Sequence, residues 1–412
     1  MKRIVVTGMG VVSPLGCTLE HFWDSLMQGD SGIGELTHLD SSPYSGLSIA
    51  AEVKGLEHVA DEKSETLEKY SNAVYYASVA TKSCLRDAGL PETFSTANNY
   101  GLIIGTTSGN QDMVERTINT FDINSSEEEL SQEAAQMLSY FRPIELSSTV
   151  ARACNLGGPN MVIPTACAAG NYAISTAYSM IQEGRTSMII AGGADPFTRS
   201  CYTIFYRLGA MTQKDCRPFD QNRTGMVVGE GAAMLVLEEL EHALARGAKI
   251  YGEVKGYGLS CDAYHPTAPD PEGSGAILAM EKALKASKLD ISDVSYISAH
   301  GTGTKANDAH EAKAMHKVFG ERLNNIPVNG LKSMTGHCMG AASALEAVAA
   351  LLSIKEQVVP PTPNTELIDS AFEAEFTVNN NSDKREIKNV LSNSFAFGGN
   401  VCSVIFSQFN QN

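Results

Sequence analysis

Short apolar runs alternate with longer helix-forming stretches along the whole chain. The runs that predict strands are 4–6, 100–105, 161–164, 187–193 and 233–237. Helix-forming stretches at 71–88 and 171–182 predict helices. The strand runs are continuously apolar instead of alternating, which is typical of strands covered on both faces by helices. The pattern therefore predicts an α/β fold.

Two parts of the chain repeat the same order of elements. In the first part, the turn that holds Cys167 is followed by a helix rich in alanine and glycine and then by a strand. In the second part, the turn that holds His337 is followed by a similar helix over 340–352 and by a predicted strand at 358–359. The repeat aligns the reactive residue of one part with a reactive residue of the other.

A second repeat pairs the strand that ends at Gly105 with the stretch 296–300. Together the repeats predict two similar halves, residues 1–250 and 251–412, with the chemistry on the seam between them. The polar stretch 110–139 interrupts the pattern and predicts a surface insertion that carries helices.

The chain is acidic, with a formal net charge of −16 at pH 7. This charge argues against nucleic acid or an anionic membrane surface as the main partner. The first apolar run is broken by Gly8 and Gly10, so it is too short for the apolar core of a secretory signal. No run approaches the roughly 18 apolar residues that span a bilayer. We therefore expect a soluble protein.

The 9 cysteines are scattered and form no CxxC pair of the kind that binds metals. An odd number of scattered cysteines is typical of free thiols in a reducing compartment. The composition therefore predicts a cytoplasmic protein without a metal site.

One cysteine, Cys167, lies at a predicted strand-to-helix turn. Its neighbours Ala166, Ala168, Ala169 and Gly170 are small, which leaves room for a substrate beside the thiol. The start of a helix is expected to lower the pKa of a thiol from its free value of about 8.5. Isolated buried cysteines are more often inert, but this setting favours a nucleophile. We interpret the other cysteines as structural.

Two histidines, His300 and His337, each lie beside a glycine. His300 follows a predicted strand, and His337 precedes a predicted helix, whose start is expected to lower the imidazole pKa. Two neutral imidazoles that point at one carbonyl oxygen would stabilise an enolate as it forms. A cysteine–histidine hydrolase is an alternative, but it needs an orienting Asn or Asp and not a second histidine.

Aromatic and glycine residues are joined in the run 393–400, near the end of the chain. Gly398 and Gly399 allow backbone movement, and Phe397 can cover a pocket. We interpret the run as a gate; the alternative is a hairpin turn with phenylalanines in the core. Other glycine-rich segments match neither a P-loop nor a dinucleotide-binding fingerprint, so we expect no nucleotide site.

At these residues the sequence resembles the β-ketoacyl-acyl carrier protein synthases, the condensing enzymes of the thiolase fold. The similarity covers nearly the whole chain, and the matching segments stand in the family's order. They are 6–16, 165–167, 217–220, 262–265, 300–304, 332–337 and the loop of Phe397. The resemblance implies two pseudo-duplicated halves in a layered α-β-α-β-α arrangement. It also implies a decarboxylative Claisen condensation as the reaction.

The resemblance implies a role for each reactive residue. Cys167 would hold the acyl chain as a thioester. His300 and His337 would hold the carbonyl of a malonyl thioester while carbon dioxide leaves. The backbone N–H groups of Cys167 and Phe397 would form the oxyanion hole for the tetrahedral intermediate.

Other matching residues imply substrate binding and support. Thr302 and Thr304 match the pair that hydrogen-bonds the phosphopantetheine arm of the carrier. Lys332 matches an active-site lysine that pairs with a helix glutamate, here Glu346. No cofactor of the protein's own is implied, because the substrates arrive on the carrier's arm. Asp308 and Glu311 also match acidic supporting positions of the family. The alternative for both is an exposed carboxylate on a helix.

The implied partners are an acyl carrier protein and a second subunit, in a homodimer or in a heterodimer with a chain-length-factor-like subunit. Ala396 and Asn400 stand where fatty-acid elongating enzymes usually have glycine and threonine. The segment 168–172 is more similar to synthases of specialised pathways, such as type II polyketide or aryl-polyene assembly. The family's basic docking cluster is mixed and net acidic here, at 61–69, whereas Arg207 remains as a docking cation.

The sequence thus predicts an elongating ketosynthase of type II polyketide, polyene or fatty-acid biosynthesis. Two alternatives stay open. One is a non-catalytic subunit similar to chain-length factors, a class that lacks the nucleophile. The other is a Cys-His thioester hydrolase, which would cleave simple thioesters without loss of carbon dioxide from malonyl groups.

Overall fold

The structure is a computed structural model that describes residues 2–59, 70–95, 98–120, 139–372, 374–382 and 384–410. In chain order, its β-strands are β1 Ile4–Val12, β2 Gly34–Glu35, β3 Ile49–Ala50, β4 Gly101–Gly105, β5 Asn160–Ile163, β6 Met188–Asp195, β7 Gly231–Glu239, β8 Gly252–Cys261, β9 Tyr296–Ser298, β10 Pro327–Asn329, β11 Thr377–Val378, β12 Asn389–Phe395 and β13 Asn400–Ser407. Its α-helices are α1 Leu19–Gln28, α2 Asn72–Asp87, α3 Gln111–Thr120, α4 Glu145–Cys154, α5 Ala169–Gln182, α6 Arg199–Arg207, α7 Leu240–Ala245, α8 Ser274–Ser287, α9 Lys305–Phe319, α10 Lys332–Thr335 and α11 Ala342–Glu356.

Eleven strands form one mixed sheet in the order β11-β10-β9-β12-β13-β8-β1-β7-β6-β4-β5. On one side of its centre, β5, β4 and β6 are parallel, and β7 and β1 continue the sheet in antiparallel pairs. On the other side, β10, β9 and β12 are parallel, and β13 and β8 continue it in antiparallel pairs. A short antiparallel pairing of β1 with β8 joins the two sets. The strand order therefore repeats, while the division into residues 1–250 and 251–412 stays a prediction.

Two helices lie between the two sets of strands. Helix α5 contacts β4 and β6 of the first set and β13 of the second, and α11 contacts β12 and β13 as well as β6 and β7. Both helices are buried in one hydrophobic cluster with strand residues of both sets. Helices α2 and α4 pack on the first set, and α8 and α9 complete the core of the second. This is a thiolase-like arrangement of layers.

The strands are covered on both faces, as their continuous apolar sequence predicted. In β4, Ile103 packs in the central cluster, whereas its neighbours Leu102 and Ile104 pack in the cluster that contains α2 and α4. Alternate side chains of a strand point to opposite faces of the sheet. Both faces of this strand therefore contribute to the core, and the α/β prediction is confirmed.

The first strand is longer than its apolar run suggested. It continues to Val12 through Gly8 and Gly10, which do not end it. The glycines are needed because α2 packs directly on the strand: a Cβ on Gly10 would lie 2.1 Å from the carbonyl oxygen of Ala80. Close packing between helix and sheet, and not a turn, explains these two residues.

The strand predicted at 358–359 is wrong. Val358 forms only an isolated bridge with Lys384. Pro360 and Pro361 follow directly, and proline has no N–H to donate to a neighbouring strand. The chain instead reaches the sheet again at the edge strand β11 and then at β12.

The predicted insertion at 110–139 is described in part, and α3 lies in it. The segment 121–138 and the mixed-charge segment 61–69 lie outside the described residues. Across the described ranges, no helix is long and apolar enough to cross a bilayer. In the same ranges, no group of three or more His, Cys, Asp or Glu side chains could hold a metal ion.

Candidate active site

Cys167 lies on the turn between β5 and α5. The chain leaves the strand and passes through a 3-10 turn, Ala166–Ala168, from which α5 begins at once. Ala166 has a left-handed backbone with a φ of 49°, a conformation that non-glycine residues rarely adopt. The Cys167 side chain is buried and lines a cavity of about 590 Å³, which is also lined by His300 and His337. One thiol and two imidazoles, far apart in sequence, thus line one pocket.

The expected low pKa of the thiol is wrong. Burial, the largest cause, raises the pKa of Cys167 to about 12, and the charge of Asp195 adds to the effect. The positive charge of Lys332 and a backbone N–H oppose it without cancelling it. The sequence shows the helix start but not how completely the packing removes water from the sulfur. In this structure the thiol is protonated at neutral pH.

The rings of His300 and His337 are neighbours, with centroids 5.5 Å apart and planes at 83°. His300 follows β9, and Glu311 of α9 accepts the backbone N–H groups of His300 and Gly301, each at 2.8 Å. His337 follows the short helix α10, where Gly336 turns the chain with a φ of 62°. A strand end and a helix end therefore fix the two imidazoles.

Both imidazoles are neutral. Burial lowers the pKa of His300 and of His337 well below the ordinary value, and the charge of Lys332 lowers both further. The expected direction for His337 is confirmed, but burial and not the helix start is the main cause.

Hydrogen bonds determine which nitrogen of each ring carries the proton. Nδ1 of His337 accepts the backbone N–H of Met339 at 3.1 Å. Nδ1 of His300 lies 3.4 Å from Nζ of Lys332, which can only donate. Each ring therefore carries its proton on Nε2 and has one N–H to donate from that atom.

Lys332 and Glu346 form a buried ion pair beside the imidazoles. Nζ of Lys332 lies 2.5 Å from Oε1 of Glu346 and donates to the carbonyl oxygen of His300 at 2.5 Å. Burial raises the pKa of Glu346 to about 7, against the attraction of Lys332. The pair fixes an ammonium group next to His300, where it favours the neutral form of the ring.

The turn after His300 is held by Asp308 of α9. Oδ1 of Asp308 accepts the N–H groups of Thr302 and Gly303, each at 3.2 Å. The hydroxyl oxygens of Thr302 and Thr304 lie 2.9 Å apart, and both residues line the cavity. The turn therefore holds the two threonines side by side at the cavity wall.

Asp308 and Glu311 are fully buried, which excludes the alternative of exposed helix carboxylates. Burial raises the pKa of Asp308 and raises that of Glu311 to about 7. Neither carboxylate lines the cavity. Both hold the backbone of the loop that carries His300.

The predicted gate is the connection between β12 and β13. Gly398 and Gly399 have φ values of 78° and 76°, a conformation that favours glycine. Phe395 is buried at the end of β12. Phe397 is half-buried, and its ring lies 5.5 Å from that of Phe205, another residue of the cavity wall. The segment is therefore a hairpin connection that also places an aromatic ring on the cavity.

Arg207 lies apart from the reactive groups. It is the last residue of α6 and is exposed. It borders a shallow groove together with Ile118 and Ile204, which are 68% and 54% exposed. The structure thus places this predicted docking residue on the surface beside an apolar patch.

Asp195 and His310 are two further residues of the site that were not predicted from the sequence. Asp195 is buried at the end of β6 and accepts the N–H groups of Thr107 at 2.7 Å and of Gly340 at 2.6 Å. Asp195 could have been predicted from the sequence, because it is a carboxylate at the end of a continuously apolar strand. His310 of α9 lines the cavity, and no local pattern marks it, because its setting depends on a loop from elsewhere in the chain.

The fold and the site define a class of protein. A cysteine before one central helix and two neutral imidazoles, one after β9 and one after α10, share one cavity in a thiolase-like fold. This is the arrangement of a condensing acyltransferase.

Comparisons with known proteins give the family. The N-terminal domain of the β-ketoacyl synthases matches residues 1–243, and the C-terminal domain matches residues 251–366. The 3-oxoacyl-[acyl-carrier-protein] synthase 2 of Synechocystis sp. (strain ATCC 27184 / PCC 6803 / Kazusa) is 38% identical over 99% of this chain and 98% of its own. The chain belongs to the β-ketoacyl synthase family and is a ketosynthase.

Solved structures agree with this assignment. The ishigamide ketosynthase/chain length factor matches 99% of this chain and 100% of its own, with a TM-score of 0.90 and 35% identity. AntDE:AntF is a type II PKS acyl-carrier protein in complex with its ketosynthase. Its matching chain has a TM-score of 0.88 and 30% identity, over 99% of this chain and 100% of its own.

Proposed function

We propose that this ketosynthase elongates an acyl chain, held as a thioester on Cys167, by decarboxylative Claisen condensation with a malonyl group. The observation that carries the proposal is the convergence of one thiol and two neutral N–H donors, those of His300 and His337, on one cavity. A cysteine–histidine hydrolase needs a single imidazole, and subunits similar to chain-length factors lack the cysteine. The site therefore favours condensation over both alternatives.

Cys167 takes the acyl group by thioester exchange. Its sulfur attacks the carbonyl carbon of the acyl-carrier thioester, and the bond to the carrier sulfur breaks. The thiol proton ends on the carrier's thiol, so the exchange consumes no base overall. This balance is compatible with a Cys167 pKa of about 12. The backbone N–H groups of Cys167 and Phe397 are proposed to bind the oxyanion of the tetrahedral intermediate.

His300 and His337 hold the carbonyl oxygen of the malonyl thioester through their Nε2–H groups. When the malonyl carboxylate leaves as carbon dioxide, the electron pair of the broken carbon–carbon bond forms an enolate, which both N–H groups stabilise. The enolate carbon then attacks the carbonyl of acyl-Cys167 and forms the new carbon–carbon bond. The released thiolate takes up one proton, which the raised thiol pKa favours at neutral pH.

The remaining site residues bind or position. Thr302 and Thr304 are proposed to hydrogen-bond the phosphopantetheine arm, because both line the cavity beside His300. No cofactor of the protein's own enters the proposal, since the arm belongs to the carrier. The positioning residues of the proposal, which keep the imidazoles neutral or hold their loop, are Lys332, Glu346, Asp308 and Glu311.

We propose an acyl carrier protein as the partner that delivers both substrates, with Arg207 as part of its docking surface. The name of the Synechocystis relative and the complex of AntDE with AntF support this partner. A second subunit is proposed, either another copy of this chain or a chain-length-factor-like protein, in view of the ishigamide structure. The pathway is proposed to be type II polyketide, polyene or fatty-acid synthesis in the cytoplasm, where scattered free cysteines are typical.

The proposal is tested by incubating the protein with acyl-carrier and malonyl-carrier and weighing protein and products by mass spectrometry. We expect an acyl adduct on Cys167, followed by a β-ketoacyl-carrier and carbon dioxide in equal amounts. Release of free acid without condensation would identify a hydrolase instead. An unmodified Cys167 with no product would identify a non-catalytic subunit.

A further inference from the structure

A third histidine, His310, lines the same cavity and is 4% exposed. Its ring centroid lies 5.5 Å from that of Phe395, which in turn lies 5.6 Å from that of His300. His310 is therefore two ring contacts away from His300, and the mechanism above does not use it.

The two ring nitrogens of His310 have different surroundings. Nδ1 lies 2.7 Å from the carbonyl oxygen of Asp270, which can only accept, so Nδ1 carries a proton. Burial lowers the pKa of the ring, which keeps it neutral. Nε2 is therefore a hydrogen-bond acceptor. This is the opposite tautomer from those of His300 and His337, which present an N–H.

Among the described residues, no group hydrogen-bonds Nε2 of His310. Nε2 is also not one of the fully buried polar atoms that lack a partner, so it is not completely enclosed by the protein. Ala268, Pro269 and Ala306 line both the cavity and an adjoining groove of about 470 Å³, as His310 does; Asp262 also lines the cavity, and Lys313 lines the groove. An acceptor that is open in this way can take a hydrogen bond from an N–H or O–H group of a molecule that occupies the cavity.

We propose that His310 is a binding residue for the incoming thioester, whose pantetheine-like arm donates an amide N–H to Nε2 of His310. The inference rests on the proposed function, because it requires a carrier arm in this cavity. Such an arm carries amide groups beyond the thioester. The position of His310, two ring contacts from His300, suits an amide of the arm and not the reacting carbonyl.

Two substitutions distinguish the role of Nδ1 of His310 from that of Nε2. His310→Asn keeps an N–H that can reach the Asp270 carbonyl but has no group at the place of Nε2, and His310→Ala removes both. With malonyl-pantetheine as the probe, both variants are expected to raise KM about five- to tenfold, the loss of one hydrogen bond, with kcat within about twofold. His316→Asn, near the end of the same helix and away from the cavity wall, is the matched control and is expected to keep the parent KM.

A parent KM in His310→Asn would overturn the proposal, because the role of His310 would then be to hold the Asp270 loop. An unchanged KM in both variants would overturn it as well. If His310→Ala does not fold, the asparagine variant alone decides. Failure of the proposed function is a distinct result, since the parent protein itself would then form no acyl adduct on Cys167.

Discussion

The turns before the two central helices have the same backbone and different surroundings. Each is a 3-10 turn whose first residue is left-handed, with a φ of 49° at Ala166 and of 50° at Met339. Cys167 of the first turn therefore corresponds to Gly340 of the second. The repeat in the sequence aligned Cys167 with His337, which lies three residues before Gly340. The sequence alignment of the two parts is therefore wrong in register.

The second turn, Met339–Ala341, is closed off by packing, and we call it the sealed turn. The first turn, Ala166–Ala168, faces the cavity, and we call it the open turn. A Cβ on Gly340 would lie 2.6 Å from Oδ2 of Asp195 and 2.7 Å from Cα of Thr106, so the second turn is packed against the ends of β6 and β4. The first turn instead presents Cys167 to the cavity. The same turn backbone thus provides a reactive position before α5 and a packing contact before α11. The two imidazoles come from other loops, at His300 after β9 and at His337 after α10.

Removing the reactive side chain of the open turn has the largest expected effect. Cys167→Ala is expected to abolish the acyl adduct and to lower the condensation rate by about 10³-fold or more. Mass spectrometry of the protein and chromatography of the product measure both. Cys261→Ala is the control, because Cys261 is the exposed cysteine of the chain. An adduct that persists in Cys167→Ala would place the nucleophile elsewhere.

The next prediction concerns the two imidazoles of the site, His300 and His337. His300→Ala and His337→Ala are each expected to lower malonyl decarboxylation by about 10²- to 10³-fold, because each removes one N–H donor to the enolate oxygen. The acyl adduct on Cys167 is still expected to form. Carbon dioxide release and protein mass measure the two steps separately. Decarboxylation at the parent rate in the double variant would refute both roles.

The effect of burial on the Cys167 thiol is tested by the pH dependence of its alkylation. A Cys167 pKa of about 12 means that the thiolate fraction, and with it the rate of alkylation by iodoacetamide, rises about tenfold per pH unit between pH 7 and 10. Peptide mass spectrometry at Cys167 follows the reaction at each pH. A rate that levels off near pH 7 would show a thiol with a low pKa and would contradict the effect of burial.

The sealed turn is tested through stability. Gly340→Ala is expected to lower the free energy of unfolding by about 1–3 kcal/mol, because the new methyl group overlaps Asp195 and Thr106. Urea unfolding measures the change. Gly34→Ala is the control, since a Cβ at Gly34 meets only Nζ of Lys54, at 3.3 Å. Equal stability of the two variants would show that the second turn is not tightly packed.

The sequence predicted the parts of the site that depend on local order. Cys167 and His300 were found because each follows a recognisable strand at a turn. The burial of Asp308 could not be predicted in this way. Its Oδ2 accepts the N–H of Phe219 at 2.7 Å, a contact between segments that lie far apart in the chain. The prediction of a low pKa for Cys167 was wrong for the same reason, because the packing of distant elements determines how much water reaches the sulfur.

The central claim is that one acyl group passes from Cys167 to the enolate that His300 and His337 stabilise. The most direct test is to isolate the acylated protein, add malonyl-carrier and follow the adduct on Cys167 by mass spectrometry together with carbon dioxide. We predict that the adduct disappears at the rate at which carbon dioxide and the β-ketoacyl product form. An adduct that stays on the protein while carbon dioxide is released, or that leaves as free acid, would contradict the account.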